Sequence, residues 1–167
     1  MRYVMKQKLW ALGDDFTIKD EAGNDRFLVD GKALSLGDKL SFQDMTRNEL
    51  AFVQEKLLSW GPTYEIYRRG QLHAVVKQHL WTLFKYRFGV DVGADGPTPD
   101  DLEIEGDFWA HEYAFTRGGR PVAQVSERWF SWADTYGVEV ADGEDDVLVL
   151  ACTVVVDLCS QKHRQSH

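Results

Sequence analysis

The 167-residue chain carries 27 acidic and 19 basic residues, a formal net charge of −8 and a pI near 5.1. That balance works against a nucleic-acid footprint and against general attraction to anionic lipid, although a local basic patch stays open. Apolar residues at 44% and charged ones at 28% describe a globular chain, and the length suits one domain with a core of its own.

The first eight residues, Met-Arg-Tyr-Val-Met-Lys-Gln-Lys, lack the apolar centre of a secretion signal. A strand is expected over residues 3–12. Phe16-x-Ile18-x-Asp20-x-x-Gly23-x-x-x-Phe27-x-Val29 then reads as a hairpin: alternating apolar residues, a glycine-containing turn, alternation again. Short strands are expected at 33–36, 40–43 and 50–57. The hairpin pattern returns in Tyr64-x-Ile66-x-Arg68-x-Gly70-x-x-x-Ala74-x-Val76. It returns once more, with identical offsets, in Tyr113-x-Phe115-x-Arg117-x-Gly119-x-x-x-Ala123-x-Val125. Phe88-Gly-Val-Asp-Val92 and Tyr136-Gly-Val-Glu-Val140 follow these two units in the same way. Between them Gly93-Ala-Asp-Gly-Pro-Thr-Pro-Asp-Asp101 is a surface loop, because Pro97 and Pro99 forbid helix and central strand. Strands at this spacing suggest a barrel or sandwich.

Residues 147–156 are apolar except for Thr153. A segment without a polar face must be buried all round. At ten residues before Asp157 it is too short to span a bilayer, which takes roughly 20. Its valines favour strand, but Asp142, Glu144, Asp145 and Asp146 before it and Lys162 and Arg164 after it suit the two ends of a helix. A helix over about 145–160 is expected inside a single domain spanning 1–160, with 161–167 as a polar tail that frays. Cys152 and Cys159, seven residues apart on that helix, lie about 10.5 Å apart along its axis. They cannot pair with each other. Buried unpaired thiols suggest a reducing, cytoplasmic setting.

Three stretches carry a resemblance to a known family: Gly61-Pro-Thr-Tyr-Glu-Ile-Tyr67, Gly106-Asp-Phe-Trp-Ala-His-Glu-Tyr113, and Trp129-Phe-Ser-Trp-Ala-Asp-Thr-Tyr-Gly-Val-Glu-Val140. With the acidic run 141–146 and the apolar segment, the chain resembles the LURP-one-related family of the tubby C-terminal-like superfamily. The resemblance implies a mainly β fold, a tubby-like closed barrel of about twelve strands around a buried C-terminal helix. Tubby proteins bind phosphoinositides, phospholipid scramblases are relatives, and plant members are linked to defence. Function carries over only as an expectation at the level of the class.

The candidate sites are sparse. Lys77, Lys85 and Arg87, with Arg68 and Arg69 on the preceding turn, form the one local basic cluster of the folded part and could donate to a phosphate or lipid headgroup. A solvated face balancing nearby acids is the competing reading. The aromatic residues Trp81, Phe84, Tyr86, Phe88, Trp129, Phe130, Trp132 and Tyr136 are read as barrel core and rim rather than as a base-stacking platform. Acidic groups at Asp14-Asp15, 91–101 and 142–146 lack the order of a calcium loop and fit turns and caps. His73, His79 and His111 have no metal spacing, and His163 and His167 could at most form an adventitious pair. No nucleophile elbow or phosphate loop is present. The expectation is a non-enzymatic binding domain of unknown ligand, without cofactor or metal. The runner-up is a peripheral module binding anionic phospholipid through Lys77, Lys85 and Arg87. A hydrolase at a barrel mouth is a third reading and requires His111, Glu112 and a hydroxyl to meet in a pocket.

Overall fold

The computed structural model describes residues 1–6, 15–31, 37–82 and 85–166. Its strands are β1 (Arg2–Lys6), β2 (Phe16–Asp20), β3 (Asp25–Gly31), β4 (Lys39–Asp44), β5 (Glu49–Glu55), β6 (Thr63–Arg68), β7 (Gln71–Thr82), β8 (Lys85–Val92), β9 (Leu102–Asp107), β10 (Glu112–Arg117), β11 (Arg120–Ser126) and β12 (Thr135–Val140). One helix, α1 (Asp146–Gln165), follows them. The expected strand at 33–36, the first strand beyond Lys6, Asp14, Phe84 and His167 lie outside the described residues.

All twelve strands pair antiparallel with their sequence neighbours, and β1 closes the circle on β12. The three sequence hairpins are β2–β3, β6–β7 and β10–β11. Their inward residues pair as the repeat requires: Phe16 with Val29, Tyr64 with Val76, Tyr113 with Val125. A fourth copy was hidden in the sequence. Leu40 and Phe42 of β4 face Val53 and Ala51 of β5, and the Asp44-to-Asn48 turn repeats the hydrogen bonds of the Asp20-to-Asn24 turn. Arg47 takes the positive-φ position that Gly23 holds in the first copy, which disguised the match. In all four hairpins the register shifts just after the second inward residue, at Ile18, Phe42, Ile66 and Phe115. A bulge there increases twist and bends the strand, as barrel closure requires. The sequence reading also lacked β9, where Leu102 and Ile104 face inward against Val90 and Phe88.

α1 fills the interior. From Leu148 to Cys159 every residue is buried. A helix hidden on all sides needs a surrounding wall, and the closed sheet supplies it. One expectation is corrected: residues 161–165 are not a frayed tail but the end of the helix. Lys162 lies 2.8 Å from Asp38 and 2.7 Å from Glu55, and the Arg164 guanidinium packs 5.1 Å over the Trp109 ring. The buried stretch takes in Asp157. That carboxylate is only 2% exposed. It accepts from the Tyr136 hydroxyl, and His111 Nε2 lies 3.2 Å away with its ring stacked on Tyr136. Burial, then the Asp157 carboxylate, pushes the Tyr136 hydroxyl well up, so it stays a donor. The helix start is held as firmly. Asp145 caps it by accepting from Leu148 N–H, Arg68 donates twice to Asp145 at 2.7 Å, Arg117 grips Glu144, and the Tyr3 hydroxyl donates to Asp146.

Antiparallel topology gives the barrel two distinct rims. The helix-start rim carries the β2–β3, β4–β5, β6–β7, β8–β9 and β10–β11 connections and residues 141–145. The helix-end rim carries the remaining connections, among them β5–β6, β9–β10, β11–β12 and the β7–β8 tip, with Lys162, His163 and Arg164.

Ala74 and Ala123 are both buried, opposite Ile66 and Phe115, and Ala51 holds the same place opposite Phe42. Ala74→Leu and Ala123→Leu should each cost about 1–3 kcal/mol by overpacking, read as a lower denaturant midpoint. Unchanged midpoints in both would contradict the inward register. Tyr136→Phe should cost about 1–3 kcal/mol in the same measurement, because Asp157 then loses a buried donor. A neutral outcome would mean Asp157 is satisfied without Tyr136.

Candidate functional site

The outer face of β7, β8 and β9 holds a groove of about 320 Å³. Period-two alternation places it. Ala74, Val76, Phe88, Val90, Leu102 and Ile104 point into the barrel, so Val75, Lys77, His79, Arg87, Gly89 and Asp91 point out. Register sets their neighbours: Lys77 faces Gly89, His79 faces Arg87, and Glu103 of β9 faces Gly89 from the other side. Gly89 makes the floor. A Cβ there would stand 3.4 Å from His79 Nε2, so any larger residue would fill the space between Lys77 and Glu103.

The lower end of the groove is acidic, and its acids are engaged in turn structure. Asp91 accepts from Gly96 N–H, and Asp101 accepts from the backbone of Val92 and Thr98. These bonds fix the proline-containing loop as turn chemistry predicts. The upper end is cationic. Burial, then the neighbouring charges of Arg87 and Lys77, holds His79 below its ordinary value of 6.5, so His79 is neutral at pH 7. Two cations and an imidazole therefore converge on one small space, while Glu103 is exposed at its side.

Of the sequence-derived basic residues the structure unites Lys77 and Arg87. Lys85 is exposed near the hairpin tip, opposite Thr82, and does not line the groove. Arg68 and Arg69 sit at the far end of β7, at the helix-start rim. There they line a wider opening of about 590 Å³ with His73, Glu49 and Asp145. Arg68 is already engaged by Asp145, which burial pushes up but Arg68 and the Leu148 N–H bring down on balance. The sequence reading missed His79 and Gly89. The signal was the pair Lys77-x-His79 and Arg87-x-Gly89, which period two puts on one face.

The residues required for hydrolase chemistry do not meet. Glu112 accepts from Ser126 at 2.7 Å, whereas His111 turns to Asp157, and His111 is 3% exposed. Cys152 and Cys159 are free and buried, and burial pushes the Cys159 thiol up to about 12. Neither can act as a thiolate nucleophile near neutral pH.

Residues 1–157 match the family model described as LURP-one-related. The chain belongs to that family. It is also 33% identical over 154 residues to the uncharacterized protein YxjI of Bacillus subtilis (strain 168), covering 92% of this chain and 90% of the relative. Its fold matches the X-ray structure of a protein from Arabidopsis thaliana with a TM-score of 0.66 at 18% identity, over 93% of this chain and 88% of that one. The family relationship and the tubby-like barrel expected from the sequence are thus both present. No described helix is long and apolar enough to cross a membrane.

A proton on His79 is disfavoured in the fold, so its contribution to stability is full above 6.5 and is lost as pH falls through its lowered midpoint. An NMR titration should place that midpoint below 6.5, and replacing Lys77 and Arg87 by Gln should raise it. A midpoint that ignores both charges would separate the three side chains.

Proposed function

We propose that this chain is a non-enzymatic binding domain whose outer groove takes a phosphate-bearing ligand, with an anionic phospholipid headgroup as the favoured form. The observation that carries the reading is the convergence of Lys77, His79 and Arg87 over the Gly89 floor. Lysine and arginine supply charge-assisted donors, and a bound dianion would favour the charged form of His79 as a third. The interior is occupied by α1, which leaves the outside of the barrel to do the binding. The buried, unpaired cysteines support a reducing, cytoplasmic setting for it.

The test is flotation with vesicles carrying phosphoinositide, alongside binding of a soluble inositol phosphate. Lys77→Gln with Arg87→Gln should weaken binding of the soluble inositol phosphate by at least about tenfold and remove the affinity that phosphoinositide adds to a vesicle, since charge-assisted hydrogen bonds are worth about 1.5–3 kcal/mol each. Added salt should weaken them further. Lys85→Gln alone should matter less for the soluble ligand, because Lys85 stands outside the groove. Full binding of the soluble inositol phosphate by the double variant would overturn the assignment of the groove.

A further inference from the structure

The helix-end rim exposes apolar residues that no fold requirement explains. Leu58 and Trp60, in the β5–β6 connection, are each 94% exposed, and Leu57 beside them is exposed too. The sequence pattern placed Leu57 inside a strand. β5 instead ends at Glu55 and releases these side chains into solvent. Leu80 near the β7–β8 tip, Trp109 in the β9–β10 turn and Trp132 in the β11–β12 connection are exposed as well. Every strongly exposed tryptophan among the described residues lies on this one rim. The helix-start rim exposes Met1, Met45 and Leu72 but no such aromatic residue.

Their placement has a shape. Among the described residues, these apolar side chains come from the successive stretch of barrel between β5 and β12. Side chains projecting from successive connections on one end of a barrel are suited to meet a flat surface together. Tryptophan has an apolar body and a polar N–H, which suits the boundary between lipid headgroups and acyl chains.

Charge is arranged to match. Each apolar tip has an exposed cation on its own connection or against it. Lys56 precedes Leu57, Lys85 stands across the hairpin tip from Leu80, and Arg128 shares a connection with Trp132. The Arg164 guanidinium lies 5.1 Å over Trp109 and donates to its carbonyl at 3.1 Å. Several acids of this rim are occupied internally. Asp38 and Glu55 hold Lys162, Asp107 accepts from the N–H groups of Trp109 and Ala110, and Glu112 accepts from Ser126. The opposite rim carries Asp20, Asp44, Asp95, Asp100 and Asp142 beside Arg47, Arg69 and Arg120, while Glu127 and Asp134 lie on the helix-end rim. For a chain of net charge −8, Lys56, Lys85, Arg128 and Arg164 give this rim local cations that an anionic surface would attract.

We infer that the helix-end rim is an interfacial surface that seats the barrel end-on against a bilayer containing anionic phospholipid, with Leu58 and Trp60 entering the headgroup boundary. It is separate from the groove on the barrel's side and needs no phosphoinositide.

Flotation with phosphatidylcholine–phosphatidylserine vesicles free of phosphoinositide tests it. The parent chain should bind at low salt, its tryptophan emission should shift to the blue, and acyl chains brominated near the headgroup should quench it. Leu58→Asp with Trp60→Asp should lower vesicle affinity at least tenfold and leave the melting temperature and inositol phosphate binding unchanged. Trp60→Leu should keep binding while losing part of the quenching. Lys77→Gln with Arg87→Gln should still bind these vesicles, which keeps a failure of the groove distinguishable from a failure of the rim. The inference falls if the parent chain ignores such vesicles, or if the aspartate variant binds them as the parent does. It also falls if Leu58 and Trp60 instead hold two copies together, seen as a dimer that the aspartate variant dissociates without any binding to vesicles.

Discussion

Everything in this molecule depends on a helix that cannot touch water. Twelve consecutive residues of α1 are buried, so no orientation on an open sheet would serve, because an open sheet covers one face only. A closed wall is the remaining solution, and closure also removes the unpaired strand edges an open sheet would present. The dependence is mutual. A twelve-stranded barrel is wide enough to leave a lumen that side chains from the wall do not fill by themselves. Helix and wall each complete the other's core.

Apolar contact alone would let such a helix slide or rotate, since burial has no direction. Polar pins fix it. At the start Arg68, Arg117 and Tyr3, from three different strands, hold Asp145, Glu144 and Asp146. Near the far end Tyr136 and His111 address the one buried carboxylate, Asp157. Beyond it Lys162 reaches Asp38 and Glu55, with the Tyr64 hydroxyl donating to Asp38. Directed contacts of this kind favour one depth and one rotation of the helix, although Asp157 Oδ1 makes no hydrogen bond.

The same filling decides where function can reside. With the lumen occupied, the space open to a ligand lies on the outer face and at the rims. The side groove offers directed donors around a glycine floor, and the helix-end rim offers apolar tips interleaved with cations. The two are adjacent, because β7 and β8 run from the groove to the hairpin tip on that rim. A headgroup in the groove and a bilayer at the rim would therefore lie on one side of the barrel.

The sequence by itself determined the repeated hairpins, the inward places of Ala74 and Ala123, the proline loop and the buried helix, because each rests on local spacing that needs no distant partner. It also marked Lys77 and Arg87. Only tertiary structure decided the rest. Arg47 concealed the fourth hairpin because a non-glycine residue can hold a positive φ when its turn is otherwise well bonded. Asp157 read as the end of the apolar run because its partners, Tyr136 and His111, are brought to it by the closing of the barrel. His79 and Gly89 joined the basic pair only once the β7–β8 register was set. Leu57 looked like a strand residue until β5 ended at Glu55. Alternation reports which face a residue takes, but where a strand leaves the wall depends on its neighbours across the sheet, and those are assigned by the fold as a whole.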